Sequence, residues 1–255
     1  MKPTTKFGDL VELVEILRKE CPWDRKQTHE SIKDNLIEEA YEAVEAIDNQ
    51  DFEELKKELG DLLLHVIFQT NMAHENQHFS IQDVIYTLME KLIRRHPHVF
   101  EEVEVDDEHA VAENWEQIKL REGRNSVLDG IPKHLPALIK AQRMQEKASN
   151  SGFDWPQAEQ AWEKLSEELD EFKEALEHSG PAHQREEYGD LLFTVVNYGR
   201  FFDLNAEDAL RQTNKKFANR FKHVEQQVNK NGGSMPEASL DEMEEYWQQA
   251  KSMEK

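Results

Sequence analysis

One pattern of acidic residues occurs twice in this chain. Glu39, Glu42, Glu58 and Asp61 are separated by three, sixteen and three residues, and Glu168, Glu171, Glu187 and Asp190 repeat that spacing. The match extends past the acids. Glu58-Leu59-Gly60-Asp61-Leu62-Leu63 aligns with Glu187-Tyr188-Gly189-Asp190-Leu191-Leu192, sharing a Gly and a Leu pair at fixed offsets. Further on, Lys91 and Arg95 align with Lys216 and Arg220, and Trp115 and Lys119 with Trp247 and Lys251. Self-similarity on this scale marks a duplicated module. We expect an N-terminal module over residues 1–122, a Gly- and Pro-bearing connector over 123–135, and a C-terminal module over 136–255.

Each copy reads as helical. Leu165, Leu169, Phe172 and Leu176 form one apolar stripe at helical spacing, and Leu191, Val195 and Tyr198 form another on the next segment. His178-Ser179-Gly180-Pro181 separates the two, as Asp48-Asn49-Gln50-Asp51 does in the first copy. Residues three apart share a helix face, so each copy is expected to set four carboxylates across an antiparallel helix pair. Strand-like alternation is nearly absent. The expected fold class is all-α, two tandem four-helix-type modules.

Glu-rich helices ordinarily present a solvated face. Three features argue for a site instead. From Leu191 to Phe202 the only ionic side chain is Arg200, so a largely buried segment is expected beside Glu187 and Asp190. Gly60 and Gly189 lie inside helices, at a cost of about 1 kcal/mol relative to Ala, which points to close approach of another backbone or a ligand. In the second copy Lys164 can reach Glu168, but no local cation serves Glu187 or Asp190; in the first, Lys57 can pair with Asp61. Carboxylates without His or Cys suit a hard cation, Mg²⁺ with Mn²⁺ as a substitute, and Mg²⁺ commonly joins a few carboxylates to substrate phosphates.

A net charge of -22 repels polyanions and argues against stable nucleic-acid binding. A small anionic substrate remains open where metal ions and local cations reverse the field within a cleft. Lys216 and Arg220 lie one helical turn apart, as do Trp247 and Lys251, supplying cations for phosphate and an indole that can pack on a base. No stretch approaches the roughly 20 apolar residues of a membrane span. Cys21 is the only cysteine, which suits packing in a reducing compartment, and a cytoplasmic location is expected.

Glu38-Glu39-Ala40-Tyr41-Glu42 and Glu167-Glu168-Leu169-Asp170-Glu171, each followed by Glu-x-x-Asp on the next helix, resemble the MazG family of all-α nucleotide pyrophosphohydrolases. Cys21-Pro22-Trp23-Asp24, Arg95-His96-Pro97-His98-Val99-Phe100 and Gly152-Phe153-Asp154-Trp155 extend the likeness over nearly the whole chain. The resemblance implies a homodimer that binds Mg²⁺ and hydrolyses nucleoside triphosphates to monophosphate and pyrophosphate. It further implies broad base tolerance and a house-cleaning or stress role. It makes Glu168, Glu171, Glu187 and Asp190 metal ligands, and for in-line attack by water we expect Glu168 or Glu171, with nothing to choose between them, to touch that water. Lys164, Glu167, Glu186, Asp190, Lys216, Arg220, Trp247 and Lys251 become nucleotide contacts. Glu39, Glu42, Glu58 and Asp61 are the matching metal set of the first copy. The family associates catalysis with the C-terminal module, and the sequence adds a reason of its own. Pro97 should break the helix just after Arg95, whereas Arg220 runs on without interruption.

Three rival readings remain. His74-Glu75-Asn76-Gln77-His78 matches a zinc-hydrolase pattern, but at an expected helix end and without a placed third ligand. A di-iron or di-manganese carboxylate bundle would need two Glu-x-x-His units, and Glu75 to His78 supplies one outside both clusters. A dimeric scaffold with merely solubilising acids is the third.

Overall fold

A computed structural model describes residues 2–100 and 126–253. Trp115 and Lys119, and the expected boundary near residue 122, lie outside them. The described residues form ten helices, one 3-10 turn and no strand. They divide between two compact units, Met1–Val105 and Asp106–Lys255.

The first unit holds α1 (Phe7–Glu20), the 3-10 turn (Asp24–Lys26), α2 (Lys33–Asp48), α3 (Phe52–Glu75), α4 (Ile81–Arg95) and the single turn α5 (Pro97–Phe100). Side chains set the helix starts. Asp51 accepts from the Glu54 amide at the head of α3, and Ser80 with Asp83 forms a capping box on α4. The break expected at Pro97 is present, since α4 ends at Arg95 and α5 begins at Pro97. The α2/α3 hairpin is the most extensive helix pairing in this unit, and α1 lies on α3. Val14 of α1 joins Ile32, Ile67, Phe68 and Met72 in a dry core edged by Leu10, Val11 and Leu64. Arg18 ties α1 down through two 2.9 Å bonds to the Glu75 carboxylate and further bonds to the carbonyls of Asp24 and Gln27.

The second unit holds α6 (Ala137–Ser149), α7 (Ala158–His178), α8 (Pro181–Arg200), α9 (Ala206–Lys230) and α10 (Leu240–Met253). Pro181 starts α8 at the one position where its missing N–H costs nothing, and the Asn205 side chain caps α9. The α7/α8 hairpin is the counterpart of α2/α3. Here α6 lies on α8, while α9 packs on α10 and α6. Arg220 sits within the unbroken α9, as its spacing required.

Two expectations are corrected. The apolar segment of α8 is not buried within the chain: Leu192, Phe193 and Val195 are 42%, 43% and 48% exposed, and Leu169 and Leu176 of α7 are exposed as well. Only Thr194, Val196 and Asn197 are buried on α8. Periodicity reports an apolar face but not whether the same chain covers it. Likewise, nothing among the described residues comes within 4 Å of a Cβ built on Gly60 or Gly189, so of the two expected reasons for these glycines the close approach of a backbone is not met there and that of a ligand stays open.

Candidate metal centre

On α7, Glu168 and Glu171 project from one face; on α8, Glu187 projects back at them. One carboxylate oxygen from each lies within 4.8 Å of the other two, a separation that a single cation can bridge. Glu39, Glu58 and Asp61 form the same kind of group on α2/α3. Each unit thus draws together three of its four expected acids. Asp190 and Glu42 stand outside these groups but act on them by charge, Asp190 on Glu187 and Glu42 on Glu58.

The two sites differ in what surrounds them. In the second unit Lys164 bonds Glu167 and Glu168 at 2.9 Å each and lies 4.0 Å from Glu171. Those bonds hold its ammonium above the usual lysine value. His183 Nδ1 lies 3.4 Å from Glu187 and 3.5 Å from Glu186, supplying the local partner that the sequence reading had not found. The corresponding positions in the first copy, 129 residues earlier, are Asn35 and Glu54. Asn35 brings no charge to Glu39, and Glu54 adds a negative one beside Glu58. Lys57, expected on Asp61, pairs with Glu54 instead.

The consequences appear in the titration. Glu58 is pushed up to about 7, by burial first and then by Glu42 and by hydrogen bonding to Glu54 and Glu39. Glu187 is also raised, by burial and the charges of Glu171, Asp190 and Glu168, but His183 pulls it back. Buried or crowded carboxylates whose charge is under-compensated make a donor set that a hard divalent cation fits.

Because Glu58 titrates above its ordinary 4.5, the folded protein takes up a proton between about 4.5 and 7 that the unfolded chain releases. Its contribution to stability therefore falls as pH rises through that window and is lowest above 7. In metal-free protein, the melting temperature of Glu58→Gln relative to wild type is expected to climb from pH 4.5 to 7.5. A flat difference across that range would remove the assignment.

The zinc reading fails on geometry. Helix α3 ends at Glu75, so His78 does not stand one helical turn beyond His74, and both oxygens of Glu75 are held by Arg18. Among the nucleotide contacts expected from resemblance, Lys164, Glu167 and Glu186 lie at the acids. Arg220 and Trp247 meet each other on α9 and α10, the guanidinium carbon 5.7 Å from the indole centroid, with Phe217 against the same ring. Lys216 stands one turn before Arg220, and Lys251 one turn after Trp247.

The two helical hairpins are an all-α duplication in which each copy carries a carboxylate group that could hold a metal ion. The model described as the MazG nucleotide pyrophosphohydrolase domain matches residues 27–100 and 157–225. The chain is 47% identical, over 96% of its length and 95% of the relative's, to the nucleoside triphosphate pyrophosphohydrolase/pyrophosphatase MazG of Thermotoga maritima. It is 42% identical to the nucleoside triphosphate pyrophosphohydrolase of Escherichia coli K12, over 92% of this chain and 91% of that one. The chain belongs to the MazG nucleotide pyrophosphohydrolase family.

Proposed function

We propose that this protein is a Mg²⁺-dependent nucleoside triphosphate pyrophosphohydrolase whose working site is the α7/α8 carboxylate group. The convergence of Glu168, Glu171 and Glu187 within 4.8 Å beside Lys164 carries the reading. Glu168, Glu171, Glu187 and Asp190 hold the metal, which when bound neutralises the triphosphate and acidifies a water. Glu171 is the most exposed of the three converging acids, which suits it to take the proton of the water that attacks the α-phosphorus in line with departing pyrophosphate. Glu168, more deeply placed and bonded to Lys164, orients the group. Lys164, Lys216, Arg220 and Lys251 offset phosphate charge, with Glu167, Glu186 and Trp247 completing the nucleotide contacts.

The first unit keeps Glu39, Glu42, Glu58 and Asp61 as a cation site but lacks the compensating Lys164 and His183, which favours the second as the catalytic module. The exposed apolar faces of α7 and α8 support a homodimer. The described residues contain no helix long and apolar enough to cross a membrane, and a cytoplasmic nucleotide-pool role with broad base range fits the net charge and family.

The test is a pyrophosphate-release screen over the common and modified nucleoside triphosphates, with and without chelator. Release that stops on metal removal and returns with Mg²⁺, and more weakly with Mn²⁺, is the expected result. Pyrophosphate release that persists in chelator would overturn the metal assignment, and no release from any triphosphate would leave the scaffold reading.

A further inference from the structure

Lys164 shares one face of α7 with two of the three converging acids. Lys164, Glu167, Glu168 and Glu171 follow one another at three, one and three residues, so the lysine stands one turn before Glu168 and two before Glu171. Its ammonium reaches three carboxylates at once, 2.9 Å from Glu167, 2.9 Å from Glu168 and 4.0 Å from Glu171. Glu168 and Glu171 are also two of the three acids whose oxygens gather within 4.8 Å of one another. Lys164 and a divalent cation would therefore draw on the same two side chains.

Ordinary helix electrostatics does not call for a lysine here. At i,i+4 a Glu is better placed before a Lys than after it, and Lys164 precedes Glu168. What the position supplies is a counter-ion for a deep carboxylate. The Glu168 side chain is 9% exposed, and an ionised carboxylate at that depth is costly unless paired. Lys164 itself is 33% exposed, so its head has an open way out toward water.

The first unit shows the same acids without that lysine. Asn35 stands 129 residues before Lys164, and Lys57 pairs with Glu54. Depth follows the lysine. In the second unit the buried member of the group is Glu168, beside Lys164; in the first, the equivalent Glu39 is only half-buried, and the buried member is Glu58 on the other helix of the hairpin.

An ammonium and a divalent cation cannot both sit tightly on Glu168 and Glu171, because like charges brought that close repel strongly where water is limited. The lysine is the party that can yield. Its four-carbon stem is flexible and its three donors rotate freely, so it can exchange carboxylate oxygens for phosphate oxygens of similar reach.

We propose that Lys164 is a resident counter-ion of the carboxylate group, competing with the divalent cation for Glu168 and Glu171 and passing to the phosphates when metal and triphosphate bind together. The proposal rests on reading the α7/α8 acids as the phosphate site. Free metal has to displace the ammonium and so binds weakly. Metal that arrives with a triphosphate gives the ammonium a new partner and binds tightly. Lys164 is thus a positioning residue that keeps Glu168 and Glu171 assembled and disfavours occupation of the site by metal alone.

The test uses the full chain with Glu58→Gln throughout, so that the acids of the first unit do not mask those of the second, and compares this parent with Lys164→Met and Lys164→Arg. Mg²⁺ affinity without nucleotide is measured by calorimetry, and KM for Mg²⁺-ATP by pyrophosphate release. Lys164→Met is expected to tighten Mg²⁺ binding about tenfold and to raise KM at least about tenfold. Lys164→Arg keeps the charge and should hold Mg²⁺ within about threefold of the parent. Movement in opposite directions is the signature of competition: a lysine that only supports the fold would weaken both, and one that only meets phosphate would leave Mg²⁺ binding unchanged. Unchanged or weaker Mg²⁺ binding in Lys164→Met overturns the proposal, as does tightening with an unchanged KM. Should Lys164→Met not fold, Lys164→Gln, whose amide can still donate to Glu168, takes its place under the same outcomes. If the parent releases no pyrophosphate, the pyrophosphohydrolase reading falls by itself and the Mg²⁺ titration decides: tighter binding in the variant supports a competing Lys164, and unchanged or weaker binding overturns it.

Discussion

Glu171→Gln is expected to lower pyrophosphate release about 10³-fold, within the 10² to 10⁴ range for losing a positioned proton acceptor. Glu42→Gln, its equivalent in the first unit, should leave release within about twofold of wild type. The substitution keeps shape and hydrogen-bonding length and removes only the charge and the basic oxygen. Glu171 is exposed and stands 4.0 Å from Lys164, so its loss does not strip the ion pair that Lys164 makes with Glu168 at 2.9 Å, and the fold should persist. The paired measurement separates a catalytic role from general electrostatics, because both variants change the net charge by one unit. Equal activity of Glu171→Gln and wild type would remove Glu171 from the mechanism. Equal loss in both variants would give the first unit a catalytic share that Asn35 and Glu54 argue against.

That asymmetry between the copies was only partly legible in the sequence. The repeat itself, the helix hairpins and the break at Pro97 could be read directly, because caps, turn residues and proline act locally. Three acids of each expected quartet converge, and that much could be read because i,i+3 spacing fixes a shared face. Their environments could not. Lys164 against Asn35, and His183 against Glu54, sit one turn from the acids and become visible as differences only when the 129-residue offset is applied beyond the motif. Burial of polar side chains was hidden as well: nothing in the sequence marks Gln145 or Asn197, yet both are buried in the structure. The α8 segment erred the other way: Leu192 and Val195 belong to the stretch from Leu191 to Phe202 that the sequence suggested was largely buried, yet they stand exposed within the chain.

Leu192→Asp is expected to halve the solution mass by light scattering and to lower pyrophosphate release at least 100-fold. Leu169, Leu176, Tyr188, Leu192 and Val195 are each 42–53% exposed on α7 and α8. The same helix positions of the first unit, Ile47, Leu59, Leu63 and Val66, are exposed in their turn. Soluble monomers rarely leave apolar patches of such extent open, and fully burying one Leu is worth about 1.5–3 kcal/mol, so several together can hold two copies. An Asp at position 192 would instead place an unpaired charge inside that contact. The effect should reach the chemistry because the patch borders the acids: Leu169 follows Glu168 directly, and Leu192 lies two residues beyond Asp190. Association through this patch would wall the carboxylate group and limit water around it, strengthening the hold on metal and phosphate proposed for it. The Mg²⁺-induced melting shift should survive in weakened form, since all four acids belong to one hairpin. A wild-type mass equal to one chain would dismiss the homodimer, and a monomeric variant with full activity would show that the α7/α8 site works without a second copy.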